Sequence, residues 1–320
     1  MPTQLNYDGV IYPADDGGAS SQSYTPDRLK GAIFGYGLRS GGNSSTITNT
    51  VSYLGNVNLD ITSVGPARYG LAAASYGGDK AIFGFGTDGS TNYNTTNFVS
   101  NLGVVTGFAS WVSVTARYYL AAASYGGDKA IFGFGETSSG YTSIINLVSN
   151  LGILASDPFG PYIGTARSTL AAAGYGGDKA IFGYGFNGTY RSITNLISNT
   201  GVVATDITSL GTGRGALGAA SYGGDRAIFG YGVQGFLTYT NVTNKVSNLG
   251  VVLDNTEGVG TARTGSTASS YGGDKAIFGF GLAGSPLNVS NKVTNQGSVG
   301  ENSVGVGTER YLLAAASFGE

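Results

Sequence analysis

The chain has no cysteine and no histidine. That excludes disulfide bonds, zinc sites of the usual ligand types, thiol nucleophiles and the commonest general base. No metal and no cofactor is expected. Charge is scarce as well: Asp, Glu, Lys and Arg make 11% of the 320 residues, against roughly 25% in ordinary soluble domains. The net charge is −2 and no basic run reaches five residues, so a nucleic-acid footprint is absent. No apolar stretch approaches the ~20 residues of a membrane helix, so no membrane insertion is expected. The opening MPTQLNYDGVIYPADDGG has neither the basic region nor the apolar run of a secretory signal. A helical period is missing throughout.

What the chain has in excess is glycine, 56 residues, about two and a half times ordinary usage. Much of it sits in one block, YGGDKAIFGYG, which recurs at 76–86, 125–135, 175–185, 222–232 and 271–281. A sixth, altered copy, KGAIFGYG, covers 30–37. A period of this length, built of short strand-like pieces, predicts a propeller or array. In the unit that begins at Arg68, LAAASY reads as a small-residue inner strand and Gly77-Gly78-Asp79 as a tight turn. KAIFGFG is the second strand, TNFVS the third, and a fourth starts at Val104. Phe83 and its repeats are expected to pack between adjacent sheets.

The two ends complement each other. The N-terminal copy lacks an Ala-rich first strand, while the C-terminal ERYLLAAASFGE is a first strand with nothing after it. Pairing them makes a sixth unit and removes two sheet edges. The expectation is all-β: a six-bladed β-propeller of four-stranded antiparallel blades over 27–320, closed by the C-terminal strand. Residues 1–26 form an N-terminal arm, a candidate anchor to a partner.

The order of GTAR (164–167 and 260–263), LAAASY, GGDK and AIFGYG resembles the kelch repeat across 27–320. Two departures stand out. The kelch diglycine is Gly-Phe-Gly or Gly-Tyr-Gly here, and the fourth-strand Trp is missing, since Trp111 is the only one. The blocks are also similar to repeat proteins encoded by tailed bacteriophages of marine hosts. The kelch resemblance implies a β-propeller; the phage resemblance adds little biochemical content.

Antiparallel strands put the second-to-third loops on one face with the inter-blade segments. These loops (38–45, 87–95, 136–143, 186–192, 233–240 and 282–288) differ between units, and variable loops on a rigid scaffold are where binding is usually built. Arg68, Arg117, Arg167, Arg214, Arg263 and Arg310 precede the inner strands. They are expected as a ring near the channel mouth. Guanidinium forks there could hold carboxylate, sulfate or phosphate. Presence of the Arg in every unit favours a structural role instead. Tyr93, Tyr141, Tyr190 and Tyr239 stand before the third strands among Asn, Ser and Thr. They are candidates to stack on sugars, or else to pack strand on strand. The Asp-Lys turns read as solvated turn chemistry.

The polar, charge-poor composition without a signal suits a virion protein, made in the host cytoplasm and released by lysis. The expected function is a non-catalytic tail-fibre, baseplate or decoration module that binds a host-surface glycan or other virion proteins. The alternative is an intracellular kelch-type interaction scaffold. A glycan-processing enzyme is the remote alternative, since kelch-like copper oxidases need His and Cys and sialidase-like propellers carry Asp-containing turns not seen here.

Overall fold

A computed structural model describes residues 30–158 and 163–319; the arm 1–26 lies outside them. The described chain is all-β, with one 3-10 turn and no α-helix. Six antiparallel sheets hold three or four strands each, and a two-stranded ribbon (Glu136–Thr137 with Gly140–Tyr141) stands apart. Sheets I to VI are named here by their second strands: Gly31–Gly35, Lys80–Gly84, Lys129–Gly133, Lys179–Gly183, Arg226–Gly230 and Lys275–Ala283. Each second strand pairs on one side with an inner strand rich in Ala, Gly or Ser, and on the other with a third strand. In sheet I the inner strand is Ala314–Phe318, from the far end of the chain; Gly31 faces Phe318 and Gly35 faces Ala314.

Turn chemistry sets the inner hairpins. Tyr76 pairs with Lys80 across Gly77-Gly78-Asp79. Gly77 has φ +65, and its N–H reaches the Asp128 carbonyl of sheet III at 2.7 Å. A side chain there would strain the backbone and meet the Asn150 carbonyl. Glycine at 84 serves packing instead: a Cβ would lie 2.9 Å from the Phe132 ring of the next sheet.

The core lies between sheets. Six apolar clusters each combine residues of two neighbours, and one of them joins sheets VI and I through Phe280, Ile277, Phe34 and Ala32. Aromatic pairs repeat the pattern: Tyr36–Phe83, Phe85–Phe132, Phe134–Phe182, Tyr184–Phe229, Tyr231–Phe278 and Phe280–Phe34, with centroids 5.0–5.3 Å apart. Backbone bonds do the same around the inner mouth. Gly70 N–H donates to Leu312 O, Leu312 to Gly265, Gly265 to Ala216, Ala216 to Thr169, Thr169 to Tyr119, and Tyr119 to Gly70.

The outer strands depart from the expectation of four-stranded blades. Among the described residues, only sheet II has a long fourth strand, Val105–Ser110. Sheets I and IV have two residues there, and sheets III, V and VI only isolated bridges: Val148↔Leu154 in III, Val246↔Val252 and Thr243↔Thr256 in V, and Val293↔Val299 and Ser290↔Ser303 in VI. The cause is a side-chain clasp, described next.

Candidate functional site

The inner strands leave a narrow axial cavity of about 150 Å³, walled by alanine methyls and serines. The six arginines precede these strands in the chain, and all six side chains are fully buried. This is the arrangement that a structural role calls for, the reading that recurrence in every unit favoured over an open anion-binding ring. Their guanidinium groups bond within the fold. Arg167 donates from Nε to Tyr184 O at 2.7 Å, from Nη1 to Thr165 O at 3.1 Å and from Nη2 to Asn195 Oδ1 at 2.8 Å. Arg68, Arg117 and Arg310 make the same Nη2 bond to Asn97, Asn146 and Asn49. Arg214 and Arg263 donate from Nε to the Tyr231 and Phe280 carbonyls. Every guanidinium also lies over an aromatic ring of the preceding sheet, 3.9–4.8 Å from the centroid. Burial pulls Arg167 and Arg310 down to about 10, which leaves both cationic at neutral pH.

The same third-strand asparagines build the clasp. Asn195 Nδ2 donates to Ala204 O at 3.0 Å and to Asp206 Oδ1 at 2.8 Å. Asp206 also accepts the N–H and hydroxyl of Thr165, which leads into the same sheet's inner strand. Asp60 with Thr308, Asp157 with Thr115, Asn255 with Thr212 and Asn302 with Thr261 repeat it. Partial burial raises the carboxyls of Asp60, Asp157 and Asp206, but these bonds outweigh it and hold them below the ordinary range. In sheet II the Asp position is Phe108 and the Thr position is Pro66. The clasp is lost there, and the outer strand runs on as a ladder.

The four candidate tyrosines lie on the variable-loop face, partly exposed, but they do not form one cluster. Tyr93 donates its hydroxyl to Asp88 Oδ2 at 2.7 Å. Asp88 also accepts from Ser90 and Thr91 and is held well below the usual carboxylate range by these bonds, that from Tyr93 foremost. Tyr141 and Tyr190 flank Phe186, at 6.2 and 5.0 Å between centroids. Tyr239 pairs by backbone with Val233 in sheet V, away from these rings.

Reasoning from sequence missed further rings on the same face. Tyr69, Tyr118 and Tyr311 directly follow their arginines, and Tyr119 is one residue on. Tyr69 and Tyr119 approach to 6.2 Å, Tyr118 and Tyr119 to 4.8 Å. All four are half-buried. The signal was the Arg-Tyr pair, present in three units out of six. Compared with known proteins, the chain matches no family model and no curated sequence.

Proposed function

We propose that the six sheets are blades of a closed, kelch-like β-propeller, and that the molecule is a non-catalytic binding module whose variable-loop face takes a host glycan. The observation that carries this reading is the gathering of partly exposed Tyr and Phe, among Asn, Ser and Thr, on loops held by a rigid scaffold. Aromatic rings stack on the apolar faces of sugars while hydroxyls and amides bond their edges. The pairing of sheet I's two chain ends and the cyclic hydrogen bonds support the closed architecture. The acids near the mouth are engaged in clasps and turns, which supports binding without chemistry. The charge-poor, polar composition supports a virion surface as the setting.

A second surface favours attachment to another virion protein. Leu54, Leu102, Leu151 and Leu249, at the tips of third-to-fourth turns on the opposite face, are each more than half exposed.

The test is adsorption of the purified protein to host cells treated with periodate, which cleaves vicinal diols, or with protease. Binding lost to periodate and kept after protease is expected. The reverse pattern points to a protein receptor and removes the glycan reading. Mass spectrometry of purified particles tests the setting; absence of the chain from them refutes it.

A further inference from the structure

The rings on the loop face are unevenly distributed around the mouth. The position after each arginine is Tyr311 in sheet I, Tyr69 in II and Tyr118 in III, but Ser168, Gly215 and Thr264 in IV to VI. The next position takes positive φ in every unit: Gly70, Tyr119, Thr169, Ala216, Gly265 and Leu312. Glycine meets that demand without strain in two units, and Tyr119 holds it at φ +53. Backbone geometry therefore does not ask for a tyrosine at 119. Its ring fills the gap between Tyr69 and Tyr118. Tyr141 and Phe186 carry the row into sheet IV.

We propose that Tyr311, Tyr69, Tyr119, Tyr118, Tyr141 and Phe186 form one continuous receptor track, and that it takes an uncharged oligosaccharide laid across sheets I to IV. This rests on the glycan-binding reading and specifies its site and ligand class. Rings from four sheets make a track, which suits several linked sugars better than one. Tyrosine supplies rigid stacking area and a hydroxyl at small entropic cost.

Charge selects the class. The carboxylates within the track are Asp88, beside Tyr93, and Glu136, whose backbone pairs with that of Tyr118. Asp88 stays ionised through the neutral range. An anionic sugar would be brought against these fixed charges at reduced dielectric, which costs binding energy. The six ring arginines that could answer it along the track are buried. The exposed Arg39 and Arg191 stand only at the two ends, next to Leu38, which pairs with Tyr311, and next to Tyr190.

The experiment is a glycan array carrying neutral, sialylated, uronic-acid and sulfated oligosaccharides, probed with the full chain and with Tyr118→Ala, Tyr311→Ala and Tyr239→Ala. Neutral members should bind, with little dependence on salt. Tyr118→Ala and Tyr311→Ala should each weaken binding about tenfold at unchanged melting temperature, the scale of a buried aromatic anchor. Tyr141→Ala, whose side chain is the most exposed of the six at 40%, gives the same reading if Tyr118→Ala lowers stability. Preference for anionic members overturns the proposal and leaves the glycan reading standing. So does full binding by the track variants with loss in Tyr239→Ala. Binding to no glycan, together with periodate-insensitive adsorption, removes both.

Discussion

Six bulky aromatics hold a backbone conformation that favours glycine. Tyr36, Phe85, Phe134, Tyr184, Tyr231 and Phe280 have φ of 61–66°. Such a position costs on the order of 1–3 kcal/mol. Each ring is repaid on two sides, by an edge-to-face neighbour worth about 0.5–1.5 kcal/mol and by a buried guanidinium worth up to ~2 kcal/mol. Two tyrosines make a clean comparison. The Tyr231 hydroxyl donates to Val259 O at 3.0 Å, while the buried Tyr184 hydroxyl has no such carbonyl acceptor and meets the Arg214 and Ser209 side chains instead. Tyr231→Phe should therefore cost about 0.5–1.5 kcal/mol, and Tyr184→Phe should cost less. Urea denaturation of both variants decides; equal losses would contradict the assignment. The arginine beneath is less replaceable. Arg167→Ala strips partners from Tyr184 O, Thr165 O and Asn195 and uncovers the Phe134 ring. A loss on the order of 3–5 kcal/mol is expected by the same assay. The recurrence of Arg, and from it a structural role, was legible in the sequence. The partner was not, because the receiving asparagine lies 28 or 29 residues away for Arg167, Arg68 and Arg117 and 261 away for Arg310.

At the scale of elements, inner and second strands were legible because alternation and the GGD turn are local signals. The outer strands were not, because their ends are decided by the clasp rather than by a ladder. Asparagine, aspartate and threonine at these positions look like turn residues in one dimension; only folding brings Asp206 onto Thr165, 41 residues earlier. The sheet without a clasp is the one with the full outer strand, which ties the two features together within one molecule. The clasp also carries a pH dependence. The folded pKa of Asp206 lies below its unfolded value, so its carboxylate adds stability that is fully present above the unfolded value of 3.8. That stability is lost as pH falls through the folded pKa. Asp60 and Asp157 act in the same direction. Melting temperature should fall steeply below about pH 4. Asp206→Asn should fold nearly as well at pH 7, since Asn255 and Asn302 make the equivalent clasps, and should lose less stability on acidification than the parent chain. Asp206→Ala should be destabilised at pH 7 by about 1–3 kcal/mol. An acid profile for Asp206→Asn that overlays the parent's would show that the carboxylate is not the source.

For the whole molecule, the consequential strand is the last one. Ala314–Phe318 joins Gly31–Gly35 in register and places Ala314 and Ala316 against Leu71 and Ala73 of sheet II. On the other side, Leu313 and Ala315 pack with Phe280 and Ile277 of sheet VI. Gly319 N–H reaches the Asp79 carbonyl, and Ser75 bonds Ser317. The strand thus holds three sheets at once, and its partners in sheets I and II are separated from it by most of the chain. Complementary ends made this pairing legible, since each terminus carried half of one recognisable unit. Removing residues 310–320 takes away the inner strand of sheet I, Arg310 with its bond to Asn49, and Thr308's neighbour in the Asp60 clasp. It exposes the backbone edge of Gly31–Gly35 and the apolar flanks of sheets II and VI. Sheets VI and I would keep the Phe280–Phe34 ring pair and the Gly272 N–H bond to Lys30 O, but losing the inner strand should still consume much of a typical net stability of about 5–15 kcal/mol. The truncated chain should aggregate or melt broadly at a much lower temperature in calorimetry. Adding a synthetic peptide of residues 308–320 should restore part of the cooperative transition, since the peptide supplies the missing edge. A truncated chain that stays soluble and melts like the parent without peptide would show that the six sheets do not depend on closure by this strand.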